Sequence, residues 1–221
     1  MSNQVLAFIG NEIRLEWRNR YAINGILLYL VSTIFICYLS FNVRANELNP
    51  VAWNVLFWII ILFSSVNTVA KSFIQETEGS FIYLYWTHSP QTLIIGRTIY
   101  NGLLMCVLGS IGFMIYSLVL GNPVEDVPVF FLIIVLGTLG LSFTMTMVSA
   151  IASRARNSNT LMAILSFPIV LPILLMIIKI SKNAISGVER SASFDDFLVL
   201  ISINALVGAA SYLLFPYLWR S

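Results

Sequence analysis

The side chains in this sequence that could do chemistry are few and stand apart. The one histidine, His88, is followed by Ser89 and Pro90. To act as a general base it would need a carboxylate to orient it and a hydroxyl to face, and the chain has no G-x-S-x-G elbow. As an axial ligand it would give a porphyrin one contact; beside Ser-Pro and without a second ligand it reads as a solvated or capping residue. Cys37 and Cys106 fall in different apolar runs, about 16 and 8 residues in, so at 1.5 Å per residue they sit at different depths and argue against a disulfide. No C-x-x-C-H and no Cys/His cluster at metal-ligand spacing occurs. A phosphate cradle needs G-x-x-x-x-G-K-[ST], and no Gly-Lys pair exists. The expectation is a chain with no catalytic residue, no metal, no cofactor bound by itself alone, and no enzymatic activity.

The composition gives the reason for this scarcity. Hydrophobic residues are 58% of the 221 and charged residues 10%, against roughly 45–50% and about 25% in soluble domains. Such a chain is built for lipid, with room for several spans and short loops but not for an added soluble domain, so residues 1–221 read as one transmembrane domain. The formal net charge is +2 and the basic residues are scattered, which excludes nucleic acid as a partner. The first 20 residues carry Glu12, Arg14, Glu16, Arg18 and Arg20 and no A-x-A-like cleavage site, so the first span is expected to stay uncleaved.

Charges divide the chain into uncharged intervals of 22–27 residues, each long enough for a transmembrane helix. Six spans are predicted: Tyr21 to Val43, Pro50 to Ala70, Thr98 to Leu120, Pro128 to Ser153, Thr160 to Ile178 and Phe197 to Trp219. The interval Gly79 to Gly96 is rejected as a span, because its unbroken apolar stretch is only Phe81 to Trp86 and is rich in Tyr and Trp. An interfacial or cytoplasmic helix with a turn at Ser89-Pro90 fits it better. Residues 1–20 form an amphipathic helix with Leu6, Ile9, Ile13 and Trp17 on one stripe and Asn11, Arg14 and Arg18 away from it, suited to lying on a leaflet. Most Lys and Arg, including Arg14, Arg18, Lys71, Arg97 and Arg154, share one side if both termini are cytoplasmic. That orientation puts Glu76 to Arg97 and Arg154 to Asn159 inside, and Arg44 to Asn49, Gly121 to Val127 and Ser181 to Asp195 outside.

The predicted spans contain no Asp, Glu or internal Lys/Arg, which removes the buried relay that couples ion flow to transport. Asn24, Asn54, Asn67, Asn101 and Asn204 are left as polar residues that bond helix to helix or line a pathway. Small residues, among them Gly102, Gly109, Gly137, Gly140 and Gly208, permit close packing within or between subunits. Pro168 and Pro172 each delete a backbone hydrogen bond and should bend the fifth span, as a hinge or as a static kink.

Six spans, an amphipathic N-terminal helix, a first cytoplasmic segment of about 25 residues and no nucleotide site resemble the permease subunit of an ABC exporter. The stretch Phe73-Ile-Gln-Glu-Thr-Glu-Gly-Ser-Phe-Ile-Tyr-Leu-Tyr-Trp-Thr-His-Ser-Pro90 resembles the loop of the heme exporter protein B family of cytochrome c maturation, with its acidic pair and glycine, apolar helix and Ser-Pro. Glu12 to Tyr21 is similar to that family's start, and Arg154 to Pro172 to its approach to the fifth span. The aromatic Phe81, Tyr83, Tyr85 and Trp86 depart from leucine-rich forms and suggest a divergent branch.

The resemblance implies a multi-pass protein of the bacterial inner membrane that works with a separate ABC ATPase subunit, a second copy of itself and other small membrane proteins of the maturation complex. Heme is the implied substrate, moved by a permease; a scaffold whose ATP-driven movement releases a heme-loaded chaperone, and a permease for lipid or polysaccharide, stay open beside it. Residues 71–97 become a cytoplasmic coupling segment. Gln75, Glu76, Glu78, Gly79, Phe81, Ile82, Tyr85, Ser89 and Pro90 would meet the ATPase, since a chain without a phosphate cradle needs a surface through which hydrolysis acts on it. Asn24, Asn54 and Gly208 are candidates for the contact between copies or for a pathway, and Pro168 and Pro172 for a hinge.

Overall fold

The computed structural model describes residues 2–18, 21–42, 48–69, 89–153 and 158–220. Among them there is helix and no strand: α1 (Ser2–Arg18), α2 (Tyr21–Asn42), α3 (Pro50–Thr68), α4 (Pro90–Leu120), α5 (Val127–Ala152), α6 (Ser158–Ile185) and α7 (Phe194–Arg220), with a short 3-10 turn at Arg190–Ser193. Six of these, α2 to α7, are long and apolar enough to cross a membrane. Their starts follow from local chemistry. Asn49, Ser89 and Asp126 each cap a helix that begins at or beside proline, the side chain accepting from Val51, Thr92 and Val129 N–H respectively.

Most predicted boundaries move, the larger shifts at the third, fifth and sixth spans. The third span begins at Pro90, not Thr98, because Ser89-Pro90 starts the helix and Arg97 sits within it instead of ending it. The fifth reaches Ile185, not Ile178, since exposed Lys179 and Lys182 lie on the outer side while Ser181 faces the bundle. It stops at Gly187, whose φ of +61° closes the end as Val188 N–H donates to Asn183 O at 3.1 Å. The sixth begins at Phe194, not Phe197, with Asp195 and Asp196 in a first turn that favours negative charge. The expected outer loop Ser181 to Asp195 therefore shrinks to residues 186–193. The fourth begins one residue early, at Val127.

Helix α5 is the axis of the bundle and packs on α3, α4, α6 and α7. Half of its span is buried, against 11% for α2, which lies at the periphery. Small residues let its neighbours approach: a Cβ on Gly137 would lie 2.8 Å from Trp58 of α3, and one on Gly109 of α4 would lie 2.7 Å from Thr138 of α5.

At the end of the bundle opposite α1, an aromatic cluster of Trp53, Phe57, Phe113, Tyr116 and Phe130 fills the space between α3, α4 and α5. The Trp53 and Tyr116 rings are 4.8 Å apart and those of Phe113 and Phe130 5.1 Å. Its polar tips find backbone partners, Trp53 Nε1 donating to Gly121 O and Tyr116 Oη to Trp53 O, each at 3.0 Å. The α4–α5 loop is tied in turn to the α6–α7 loop. Asp126 accepts from Arg190 Nε at 2.7 Å and Nη2 at 3.1 Å, and its N–H donates to Ala184 O at 3.0 Å. Lys179 and Asp196 pair at 2.8 Å.

The N-terminal helix forms as expected, but with a different buried stripe. Phe8 and Ile9 are buried, whereas Leu6 and Ile13 are 66% and 45% exposed; the side chain of Trp17 lies outside the described residues. Phe8 and Ile9 point at protein, while Leu6 and Ile13, about 100° round the helix, are left for an apolar surrounding and Arg14 and Arg18 for a polar one. One apolar stripe in the sequence is thus two faces with different partners.

Candidate functional site

Two arrangements in the fold tie helix to helix. The first is the junction of α1 with the base of α4. Ser89 caps α4, its Oγ accepting from Thr92 N–H at 3.3 Å and lying 2.8 Å from the Thr92 hydroxyl. Leu93 and Ile94 follow in the first turns and are buried with Phe8, Ala150 and Phe215, so α1 gathers the base of α4 with the ends of α5 and α7. Gly96 makes this possible: a Cβ there would stand 2.5 Å from the Phe8 ring. Next to it Arg97 is only 6% exposed. Glu12, one turn from Phe8 on the docked face of α1, supplies an attractive negative charge to it.

The second is a set of polar braces inside the bundle. Asn54 of α3, 1% exposed, donates through Nδ2 to Ile178 O of α6 at 3.1 Å, and its Oδ1 lies 2.8 Å from Ser181 Oγ. Trp58 Nε1 donates to the same Ser181 oxygen at 3.0 Å. Ser181 has one proton to place between Asn54 Oδ1 and the carbonyl of Ile177, so the hydroxyl acts as acceptor from Trp58 and single donor to α3 or to its own helix. Further along, Asn101 of α4 donates to Thr146 of α5 at 3.0 Å, and Asn204 of α7 to Leu136 O of α5 at 2.9 Å. Each ties a helix to its neighbour where water is not present to compete.

Of the coupling residues, Gln75, Glu76, Glu78, Gly79, Phe81, Ile82 and Tyr85 lie outside the described residues, as does His88. Ser89 and Pro90 are seen, as the cap and first residue of α4 rather than as a turn before it. Asn54 is spent within the subunit and has no surface left to offer a second copy. Asn24 of α2 is exposed, and Gly208 is half-buried with a Cβ contact to Phe143 at an ordinary 3.8 Å. Pro168 and Pro172 are both exposed within one unbroken α6. They leave the carbonyls of Ile164 and Pro168 without the usual donor four residues on. Both cysteines are free, Cys106 Sγ lying 3.4 Å from the Thr138 hydroxyl.

Sequence reasoning missed Phe8 with Gly96, Glu12 with Arg97, and Trp58 with Ser181. Each pair joins residues far apart in the chain. The only local trace is that Phe8 and Glu12, one helical turn apart, face the adjacent Gly96 and Arg97.

A relative from Pseudomonas aeruginosa named heme exporter protein B is 22% identical over 213 residues, covering 93% of this chain and 92% of its own. No solved structure matches the chain. The family model described as CcmB protein matches residues 3–213, which takes in nearly all of α1 and of the six spans and both arrangements above except Phe215. The chain therefore belongs to the CcmB protein family.

Proposed function

We propose that this chain is the membrane permease subunit of an ABC-type complex that exports or otherwise handles heme for c-type cytochrome biogenesis, driven by a separate ATPase subunit. The observation that carries this reading is the match along nearly the whole chain to a relative named heme exporter protein B. The fold is consistent with it. Most of the predicted coupling residues precede the capped start of α4 in the sequence, so a push on them would be delivered to a helix that α1 clamps at one end and the aromatic cluster holds at the other. The chain supplies the moving helices, and ATP is bound by the partner.

In this reading the protein lies in the bacterial inner membrane with α1 and both termini cytoplasmic, as the distribution of Lys and Arg favours. Two copies assemble around the ATPase pair, joined by other small membrane proteins of the pathway. Heme passes along the seam between copies, because the aromatic cluster fills the space within each bundle at the end away from α1. That same filled interior favours a second reading, in which the bundle carries nothing and its movement releases a heme-loaded chaperone.

Co-purification with the ATPase tests the assignment. Glu76→Lys with Glu78→Lys should lower both recovery of the ATPase and its turnover, and unchanged values would reject Gln75 to Pro90 as the coupling surface. Orientation is tested by labelling Gln91→Cys after replacement of Cys37 and Cys106; modification by an impermeant reagent from outside would reverse the topology. Heme uptake by inverted vesicles carrying the complex separates pump from scaffold.

A further inference from the structure

We propose that Glu12 and Arg97 form a charged latch that, together with Phe8 seated on Gly96, holds α1 against α4 so that movement of the coupling segment reaches the bundle. This rests on the coupling reading above and adds positioning residues to it. The resemblance takes in Glu12 but gives neither it nor Arg97 a role.

An arginine that is 6% exposed in a chain with so few charges is costly unless a carboxylate meets it. On α1, Glu12 is a carboxylate whose charge acts on it. The apolar half of the contact fixes the register. Phe8 is 3% exposed, its ring sits where a Gly96 side chain would be, and Glu12, whose charge attracts Arg97, follows one turn later. Leu93 and Ile94, Ala150 and Phe215 close the same cluster. Lifting α1 would expose the Phe8 site and leave Arg97 without the Glu12 charge. The two halves therefore release together, and α1 either moves with α4 or comes away entirely.

The test uses the full chain, with and without its ATPase, after replacement of Cys37 and Cys106. Phe8→Cys with Gly96→Cys forms a disulfide at a rate that reports docking of α1 and needs no ATPase. In that background Glu12→Arg or Arg97→Glu should slow cross-linking about tenfold, and the exchange of both charges should restore it to within about threefold. In the native-cysteine-free chain with Phe8 and Gly96 kept, the same single variants should lower ATPase turnover in the complex about tenfold without reducing ATPase recovery, and the exchange should restore turnover. Glu12→Gln, a milder change on the half-buried partner, covers the case in which the Arg97 variants fail to fold and should slow cross-linking in the same direction. Unchanged cross-linking in Glu12→Gln and Glu12→Arg, or an exchange no better than the single variants, overturns the latch. Failure of the native chain to bind an ATPase overturns the coupling reading instead, and the cross-linking rates still decide whether the latch exists.

Discussion

Gly137→Ala should destabilise the bundle even though alanine is the better helix former. A Cβ at this position would lie 2.8 Å from Trp58 Cη2, 3.0 Å from Trp58 Cζ3 and 3.1 Å from Ile177 Cγ2. Neither neighbour has room to yield, since both are 0% exposed and the indole is tethered by its bond to Ser181 at 3.0 Å. Overpacking of this kind costs about 1–3 kcal/mol. At about 2–4 °C per kcal/mol for a chain of this size, a 2 kcal/mol loss lowers the midpoint by about 4–8 °C. Gly25→Ala is the control, because a Cβ there meets nothing within 4 Å, and its effect should stay within about 0.5 kcal/mol. Thermal unfolding in detergent, followed by tryptophan fluorescence, measures both. Trp58→Phe removes the two colliding ring atoms, so the double variant should be about 1 kcal/mol less destabilised than the sum of its parts. A Gly137→Ala protein that melts with the Gly25→Ala control, or costs that simply add, would refute the pinned indole.

Asn54→Leu should lower stability by about 0.6–1.7 kcal/mol, the range for hydrogen bonds between membrane helices, and Ser181→Ala should weaken the same brace without adding to it; a double-mutant cycle in detergent checks the coupling. Arg190 holds the Asp126 carboxyl below its ordinary 3.8. That contribution is fully present above 3.8 and is lost as pH falls through the lower folded value, so Asp126→Asn, which keeps a capping side chain, should flatten the acid limb of the melting curve. Pro168→Ala returns a donor to Ile164 O in an unbroken helix, so the melting temperature should rise; if α6 bends there in the cycle, ATPase-coupled turnover should fall at the same time.

The spans were readable because lipid imposes one rule, that every long uncharged interval must be a helix. Tyr21, Pro50 and Leu120 fall where that rule puts them. It fails where a charge lies inside a helix rather than at its end. Arg97 looks like a boundary until α1 covers it, and Lys179 and Lys182 look like a loop because the sequence does not show that both project outward while Ser181 faces α3. Gly187 was the missed stop signal, a glycine at the position where a helix closes with positive φ. Asn54, Asn101 and Asn204 were rightly read as interhelical bonds, whereas Asn24 and Asn67 are exposed, and which carbonyl or hydroxyl each would reach depends on helix rotations that no local pattern carries. The same holds for Phe8, whose burial is set by a glycine 88 positions later.

Helix α4 contains 31 residues, which at 1.5 Å per residue is about 46 Å, well beyond the roughly 30 Å of hydrocarbon in a bilayer. Tilt alone would have to approach 50° to hide it, more than membrane helices adopt. About three turns are therefore left for the headgroup layers at the two ends, and the first turns of α4 are those that α1 covers. Arg97 then lies near the waterline, with α1 replacing the phosphates it would otherwise meet. Acyl-chain length thereby becomes a mechanical variable. Thicker lipid should draw Glu12 and Arg97 toward hydrocarbon, where opposite charges attract more strongly, while thinner lipid should let water reach Glu12.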